Sequence, residues 1–267
     1  MTAVDTWLAW LDHDRGRSAN TVATYARTLR TLPVDPLYAT REDIEAWWRA
    51  RALDADGNPR PHSSRNNELS SLRSFYKWCI RFDHRPDDPT VRLDQLGEQR
   101  RESRFNGADE LTHLLNHLDP PMRRAVALGA YGGLRVSEVA GLAWRDIDID
   151  SRRMIVRGKG DKERRVGVAV RLLDVLLPDT GGNVVTGSNE AYSGHYLQMK
   201  VNEAMKRNGS TLTFHALRHR FGYMSAAGGV APTSIARAMG HANLSTTMKY
   251  IAAVDSDLDL IAEAVTR

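Results

Sequence analysis

A proline-bounded break at residues 86–89 divides this 267-residue chain into two regions with different apolar patterns. Before the break, apolar side chains recur at helical spacing in four separate stretches. Ser18 and Thr40 stand where two of these stretches begin, and Ser and Thr are favoured residues at helix N-caps. Proline ends a helix because its ring fixes φ and removes a backbone donor. The first region is therefore predicted to be an all-helical domain, with bounds at residues 1–95.

The second region, residues 106–267, is predicted to be helical with one interruption. There the helical pattern gives way to two short apolar runs with strand spacing, from Met154 to Arg157 and from Val166 to Val170. A glycine-containing turn joins the two runs, as in a β-hairpin. These patterns predict a mainly α fold class with a small β-sheet or hairpin, in which a helical domain precedes an α+β domain. Residues 96–105 are predicted to link the two domains.

Composition narrows the possible function classes without selecting one. The formal net charge is +4 and the pI is about 9.3, values that suit a nucleic-acid-binding protein and equally an ordinary mixed-charge surface. The single cysteine, Cys79, excludes an internal disulfide and a cysteine-based zinc site. No apolar run approaches the ~20 residues of a membrane span, and the N-terminus does not read as a secretory signal. We therefore expect a cytosolic protein with no membrane partner.

Four short islands in the second region supply side chains suited to phosphodiester chemistry. They read Gly133-Leu134-Arg135-Val136-Ser137-Glu138, Gly158-Lys159-Gly160, His215-Ala216-Leu217-Arg218-His219 and Gly240-His241, the last followed nine residues later by Tyr250. Arginine offers parallel donors that match phosphate oxygens. A phenol becomes a nucleophile when neighbouring cations or a base help to ionise it. In this order the islands indicate a protein that breaks and rejoins DNA, although each alone has an ordinary structural explanation.

The first and third islands place charged groups on helices. Arg135 follows a double glycine at a helix start, where the backbone can approach an anion closely and the helix terminus favours negative charge. Glu138, one turn on, can hold its guanidinium in place. The alternative is an ordinary i, i+3 surface ion pair, which stabilises little. His215 and Arg218 share one helix face, so both can point at one phosphate. The alternative is a zinc site at His215 and His219, which the charge of Arg218 and the absence of a glutamate after His215 oppose.

The second island lies at the tip of the predicted hairpin. Lys159 could deliver an ammonium to a departing 5′ oxygen, and general acid catalysis of this kind is typically worth ~10²–10⁴ in rate. Lys162, Arg164 and Arg165 make the hairpin strongly basic, which suits contact with phosphates. The alternative is a solvated lysine at a loop tip.

Taken together and in this order, the islands resemble the tyrosine recombinase, or phage integrase, family. The resemblance extends over the first arginine box, its continuation at Leu142-Ala143-Trp144-Arg145-Asp146-Ile147-Asp148, the catalytic-lysine hairpin, the second box and the nucleophile segment. The first region matches the helical core-binding domain of the family more loosely, mainly through Ser18-Ala19-Asn20-Thr21 and Tyr25. The run Arg220-Phe221-Gly222-Tyr223 departs from the small residues expected after the second box.

The resemblance implies which side chains hold the scissile phosphate. Arg135 and Arg218 would grip its non-bridging oxygens, and His241 would add a hydrogen bond. Glu138 would buttress Arg135 without taking part in the chemistry.

The resemblance also implies the roles in bond breaking. Tyr250 would attack phosphorus to give a 3′-phosphotyrosine, His215 would assist proton movement at the phenol, and Lys159 would be the general acid. No metal, ATP or other cofactor is implied, because the covalent link keeps the bond energy.

The partners implied by the resemblance are double-stranded DNA attachment sites, on which the protein would act as a homotetramer in the cytoplasm of a bacterial host. A directionality factor or DNA-bending protein is the accessory partner that the resemblance suggests. The core-binding helices begin almost at Met1, so we expect a compact recombinase without an N-terminal arm-binding domain, and we favour a phage integrase. The alternatives are an Xer-like chromosome or plasmid resolvase, a transposon recombinase, a type IB enzyme that relaxes supercoils, and a DNA-binding regulator that has lost catalysis.

Overall fold

The computed structural model describes residues 1–97, 108–158, 162–177 and 181–252. The chain divides into two compact units, Met1–Glu102 and Ser103–Arg267. Most of the linker predicted at residues 96–105 lies outside the described residues, so those domain bounds stay a prediction.

Within residues 1–97 the first unit is built from four helices: α1 (Ala3–His13), α2 (Ala19–Leu29), α3 (Arg41–Ala50) and α4 (His62–Arg81). Both predicted caps are confirmed, because the side chains of Ser18 and Thr40 accept hydrogen bonds from backbone N–H groups in the first turns of α2 and α3. The core of this unit lies along α4, where Phe75 and Tyr76 are fully buried beside Trp7 of α1.

The second unit combines helices with a small antiparallel sheet. Its described helices are α5 (Ala108–His117), α6 (Pro120–Gly132), α7 (Val136–Gly141), α8 (Val170–Leu176), α9 (Gly194–Arg207), α10 (Phe214–Ala227), α11 (Pro232–Met239) and α12 (Ser245–Ile251). The strands are β1 (Ile147–Asp148), β2 (Arg153–Arg157) and β3 (Glu163–Gly167), in the order β1-β2-β3. The predicted hairpin is therefore present, and in it Val156 pairs with Arg164.

The predicted extent of the second strand was wrong. Strand β3 ends at Gly167, and Val170 is the first residue of α8. Leu172 and Leu176 of α8 are buried four residues apart, which is the spacing of a helix face packed on the core. The predicted fold class, mainly helical with a small sheet, is confirmed.

Helix α6 lies in the main core of this unit, and its residues 125–128 are all buried. Phe214 and Leu217 of α10 join that core, together with side chains of β2 and β3. A smaller cluster contains Ile235 and Met239 of α11 and Tyr250 of α12. In the part of the chain that is described, no helix is long and apolar enough to cross a membrane.

Candidate active site

Arg135 lies at the junction of α6 and α7, where a left-handed glycine turns the chain. Gly133 follows the last residue of α6 with φ of 65°, and a Cβ built on it would lie 2.4 Å from Cδ1 of Phe221. Both the backbone conformation and the close approach therefore require glycine. Arg135 is then the N-cap residue of α7, as the double glycine indicated, and 42% of its side chain is exposed.

Glu138 is the centre of a buried ionic network. Its carboxylate accepts hydrogen bonds from the backbone N–H of Arg135 at 2.7 Å and from Nη1 of the same residue at 3.0 Å. Arg164 on β3 donates to both carboxylate oxygens, at 2.7 and 2.8 Å, and its Nε donates to the carbonyl of Ala238. Burial alone would raise the pKa of Glu138, but these hydrogen bonds and charges hold it below the ordinary value, so the group is a carboxylate.

This network changes the interpretation of Arg164. The basic hairpin residues were predicted to contact phosphates, but the guanidinium of Arg164 is committed to Glu138 and to α11. The alternation of a strand explains the difference, because Arg164 shares its face of β3 with the buried Val166, whereas Arg165 is exposed. Arg164 thus connects the hairpin to α7 through Glu138.

Arg218 is 3% exposed and is held by backbone carbonyls from two other elements. Its guanidinium donates to the carbonyl of Gly133, at the end of α6, and to the carbonyl of Met239 at 2.5 Å, at the end of α11. Burial and the neighbouring charge of Arg135 lower the pKa of Arg218 to about 10, so it stays charged at neutral pH. Arg135 likewise donates to the carbonyl of Gly240 at 2.8 Å, so both guanidinium groups are fixed in direction.

The charges of this cluster are not balanced. Arg135, Arg164 and Arg218 contribute three positive charges, and Glu138 is the acid that receives hydrogen bonds from two of them. A buried or half-buried excess of cations favours an anion between them. Planar guanidinium donors select phosphate oxygens in particular.

Tyr250 lies on α12 with 6% of its surface exposed, and its hydroxyl is 3.0 Å from Nδ1 of His219. The ring packs directly over Gly222 of α10, where a Cβ would lie 2.5 Å from Cε2 of the tyrosine. Burial raises the pKa of Tyr250, while Arg218 and Arg135 act in the opposite direction. The N-cap residue of α12 is Leu244, whose side chain makes no capping hydrogen bond.

His241 follows the left-handed Gly240 that ends α11, and its Nδ1 lies 2.8 Å from the hydroxyl of the fully buried Thr247. Burial, followed by the charges of Arg218 and Arg135, lowers the pKa of His241 to about 4. At neutral pH the ring is therefore uncharged. Its ring centroid lies 6.3 Å from that of Tyr250.

His215 occupies the first turn of α10 and is exposed. Its ring meets that of His219 edge to face, with centroids 4.4 Å apart. Partial burial of the imidazole, together with Arg218 and Arg135, lowers the pKa of His215. Among the described residues, no group of three or more His, Cys, Asp or Glu side chains could hold a metal ion.

The structure thus brings together five of the six predicted site residues: Arg135, His215, Arg218, His241 and Tyr250. Lys159 lies outside the described residues, although the hairpin that carries it is closed by a hydrogen bond from the Gly158 N–H to the Lys162 carbonyl. Gly222 and Thr247 were not predicted from the sequence as partners of these groups, and His219 and Arg164 were given other roles, in a zinc site and in phosphate contact. His219 and Gly222 lie at helical spacing from His215, which is the signal that could have identified them.

Comparison with known proteins gives a consistent result for both units. Residues 104–256 match the sequence profile described as phage integrase family, and residues 4–82 match that of the phage integrase N-terminal SAM-like domain. The chain is 30% identical to tyrosine recombinase XerC of Pelobacter propionicus, over 90% of this chain and 87% of that one. It is 29% identical to XerC of Xanthomonas campestris pv. campestris, over 94% and 84% of the two chains.

Solved structures show the same fold at lower identity. A lambda integrase dimer bound to a COC′ core site is 20% identical, with a TM-score of 0.74 over 93% of this chain and 94% of that one. The Tn1549 transposon integrase in complex with a circular intermediate DNA is 18% identical, with a TM-score of 0.70 over 98% and 99% of the two chains.

Proposed function

The chain belongs to the phage integrase family of tyrosine recombinases, and we propose that Tyr250 is the residue with which it cuts and rejoins DNA strands. The observation that carries this assignment is the position of the phenol. It lies on α12 against α10, the helix that also holds Arg218, and burial raises its pKa while the nearby charges of Arg218 and Arg135 oppose that rise. Phenol and phosphate-binding cations therefore share one site.

Arg135 and Arg218 would hold the non-bridging oxygens of the scissile phosphate. Their guanidinium groups are fixed by backbone carbonyls before any ligand arrives, so little reorganisation is needed when charge develops in the transition state. Each preorganised donor of this kind is typically worth ~10²–10³ in rate. The uncharged His241 would add a hydrogen bond, and Glu138 would keep Arg135 in its orientation.

The chemical step conserves the phosphodiester bond energy. The Tyr250 oxygen attacks phosphorus, the bond from phosphorus to the 5′ oxygen breaks, and the phenolic proton passes to a base. Lys159 would protonate the departing 5′ oxygen. The 3′-phosphotyrosine is then attacked by a 5′ hydroxyl of another strand, which restores the phosphodiester and releases the tyrosine.

The biological reaction that best fits is integration or excision of a mobile element at attachment sites in double-stranded DNA, in the cytoplasm of a bacterial cell. The second candidate is Xer-like resolution of chromosomes or plasmids, and the specific observation in its favour is the 30% identity to XerC over 90% of the chain. Solved relatives include a lambda integrase tetramer bound to a Holliday junction, which supports action as a homotetramer on DNA. A directionality factor or bending protein belongs to the same proposal.

Covalent capture on nicked DNA tests the assignment of Tyr250. The substrate is a pool of duplexes with a randomised core and one nick. After cleavage the short fragment that carries the new 5′ hydroxyl diffuses away, so the strand cannot rejoin and the protein stays attached. We expect wild-type protein to form a 3′ adduct that survives denaturation, and Tyr250→Phe to bind the selected DNA without forming it. An adduct with Tyr250→Phe, or binding of selected DNA without any wild-type adduct, would refute the assignment. Sequencing the captured DNA then gives the site, which distinguishes an attachment site from a resolution site.

A further inference from the structure

We infer that His219, rather than His215, is the group that holds the hydroxyl of Tyr250 and takes its proton as the phenol attacks phosphorus. The inference deepens the proposed function and rests on Tyr250 being the nucleophile. His219 would be a catalytic residue, because it contacts the reacting oxygen.

The geometry of α10 and α12 carries this inference. Nδ1 of His219 lies 3.0 Å from the Tyr250 oxygen, within the distance required for direct proton transfer. The two ring centroids are 5.6 Å apart with an interplanar angle of 63°, so the imidazole edge meets the hydroxyl. Gly222, three residues after His219 on the same helix, leaves the space that the tyrosine ring occupies. The Tyr250 side chain is thus held in place both at its ring and at its hydroxyl oxygen.

Burial and nearby charges keep His219 uncharged in the DNA-free protein, so its Nδ1 can accept the hydrogen of the Tyr250 hydroxyl. Burial, followed by the charges of His215, Arg218 and Lys249, lowers the pKa of His219 to about 4. His241 also faces this group, since His219 is among the causes that lower the pKa of His241. An uncharged imidazole that accepts a proton at Nδ1 carries its own hydrogen on Nε2.

His215 is placed for a different contact. It is exposed at the first turn of α10, and its ring touches that of His219 instead of standing between His219 and the tyrosine. Burial, followed by the charges of Arg218 and Arg135, lowers its pKa, and Arg218 lies three residues further along the same face of α10. We therefore assign His215 to the phosphate side of the site.

Binding of DNA would strengthen His219 as a base. An imidazole with a pKa of about 4 is a weak base toward a phenol. Burial is the largest cause of this low pKa, and the positive field of His215, Arg218 and Lys249 adds to it. A phosphate between Arg135 and Arg218 adds negative charge near the ring and opposes that field. In the forward step the phenolic proton moves to Nδ1 of His219 as the bond from the Tyr250 oxygen to phosphorus forms. The bond from phosphorus to the 5′ oxygen breaks, and that oxygen takes a proton from another acid. When the strands rejoin, the imidazolium returns its proton to the departing tyrosine.

The test is the single-turnover rate of covalent adduct formation on the nicked DNA selected by wild-type protein, measured from pH 6 to pH 9. We expect His219→Ala to lower the rate by ~10²–10⁴ at neutral pH with little change in DNA affinity. Without a base the rate follows the phenolate fraction, so it should rise about tenfold per pH unit, whereas the wild-type profile is flatter. His219→Asn retains an acceptor near the position of Nδ1 but cannot take a proton, so it should show the same steep profile even if His219→Ala fails to fold.

A modified substrate separates the two proton transfers. With sulfur in place of the bridging 5′ oxygen the leaving group needs no proton, so a defect in the general acid is rescued and a defect in the base is not. We expect both His219 variants to stay slow on this substrate. Two results would overturn the inference while leaving Tyr250 as nucleophile. One is a folded His219 variant with the wild-type rate and pH profile. The other is a steep pH profile for His215→Ala alone. Absence of any wild-type adduct would instead refute the proposed function.

Discussion

Gly222 offers a direct test of whether the observed position of Tyr250 matters for catalysis. An added Cβ would lie 2.5 Å from Cε2 and 2.7 Å from both Cδ2 and Cζ of the tyrosine ring. Carbon atoms in contact are normally ~3.5–4.0 Å apart, so Gly222→Ala should displace the ring by about 1 Å. The added methyl group is fixed to a helix backbone, so the ring is the part that moves.

The effects of this substitution on stability and on activity should differ widely. Alanine in a helix interior is more favourable than glycine by about 1 kcal/mol, and the lost hydrogen bond to His219 is worth about the same amount. The free energy of unfolding should therefore stay within about 1 kcal/mol of wild type. A shift of about 1 Å in a reacting group can lower the rate by ~10²-fold, and this is the loss we expect in adduct formation.

Gly141→Ala is the matched control, because Gly141 also lies in a helix but nothing is within 4 Å of the position of its Cβ. Urea unfolding, DNA affinity and single-turnover adduct formation are measured for both variants. The control should gain stability and keep the wild-type rate. If Gly222→Ala also forms the adduct at the wild-type rate, the position of Tyr250 over α10 is not the reactive one and the reasoning is wrong.

Three further predictions concern the groups that support the site. Glu138→Gln should lower the free energy of unfolding by about 3 kcal/mol at neutral pH, as expected for a broken buried ion pair. The pKa of Glu138 is depressed in the folded protein, so the stability that this carboxylate contributes is present above the ordinary pKa of 4.5 and is lost as pH falls through the depressed value. In urea unfolding, the free energies of unfolding of Glu138→Gln and wild type should therefore approach each other in acid. Arg164→Lys keeps the charge but loses the paired hydrogen bonds to Glu138, so adduct formation should slow by up to ~10²-fold while DNA affinity is unchanged. The control is Arg165→Lys, on the exposed face of the same strand, which should form the adduct at the wild-type rate. Thr247→Val removes the hydroxyl that contacts His241 and should lower the free energy of unfolding by ~1 kcal/mol together with the adduct rate, and wild-type behaviour in both assays would contradict that role.

Local signals in the sequence were sufficient where the physics is local. Ser18 and Thr40 were identified as caps because a short side-chain acceptor bonds to the backbone three residues on, whatever the rest of the fold does. Val170 was misplaced because a short run of β-branched residues fits a strand and a buried helix face alike. Packing against the core decides between the two structures, and the short run alone contains no information about that packing.

The site was predictable as a set of charges and unpredictable as a set of contacts. The arginines, histidines and tyrosine of the islands lie near one another in the structure, and their proposed roles at a phosphate stay a prediction. Which side chain faces which partner depends on elements that are distant in sequence: Arg164 reaches Glu138 across 26 residues, and Tyr250 reaches His219 across 31. Side chains alternate between the two faces of β3, so Arg164 lies on the same inward face as Val166. The charge of the hairpin alone does not show which of its basic side chains face solvent.

Helix α10 holds several of the proposed site residues in one short segment. The residues that face the site are His215, Arg218, His219 and Gly222, at positions i, i+3, i+4 and i+7 of the helix. This spacing is the one that an amphipathic helix normally uses for its apolar stripe. The helix instead obtains its burial from Phe214 and Leu217, which join the main core from another face. One face is therefore free to hold the guanidinium of Arg218, the imidazole of His219 and the space for the tyrosine ring, so a shift of α10 by one residue would displace all three together.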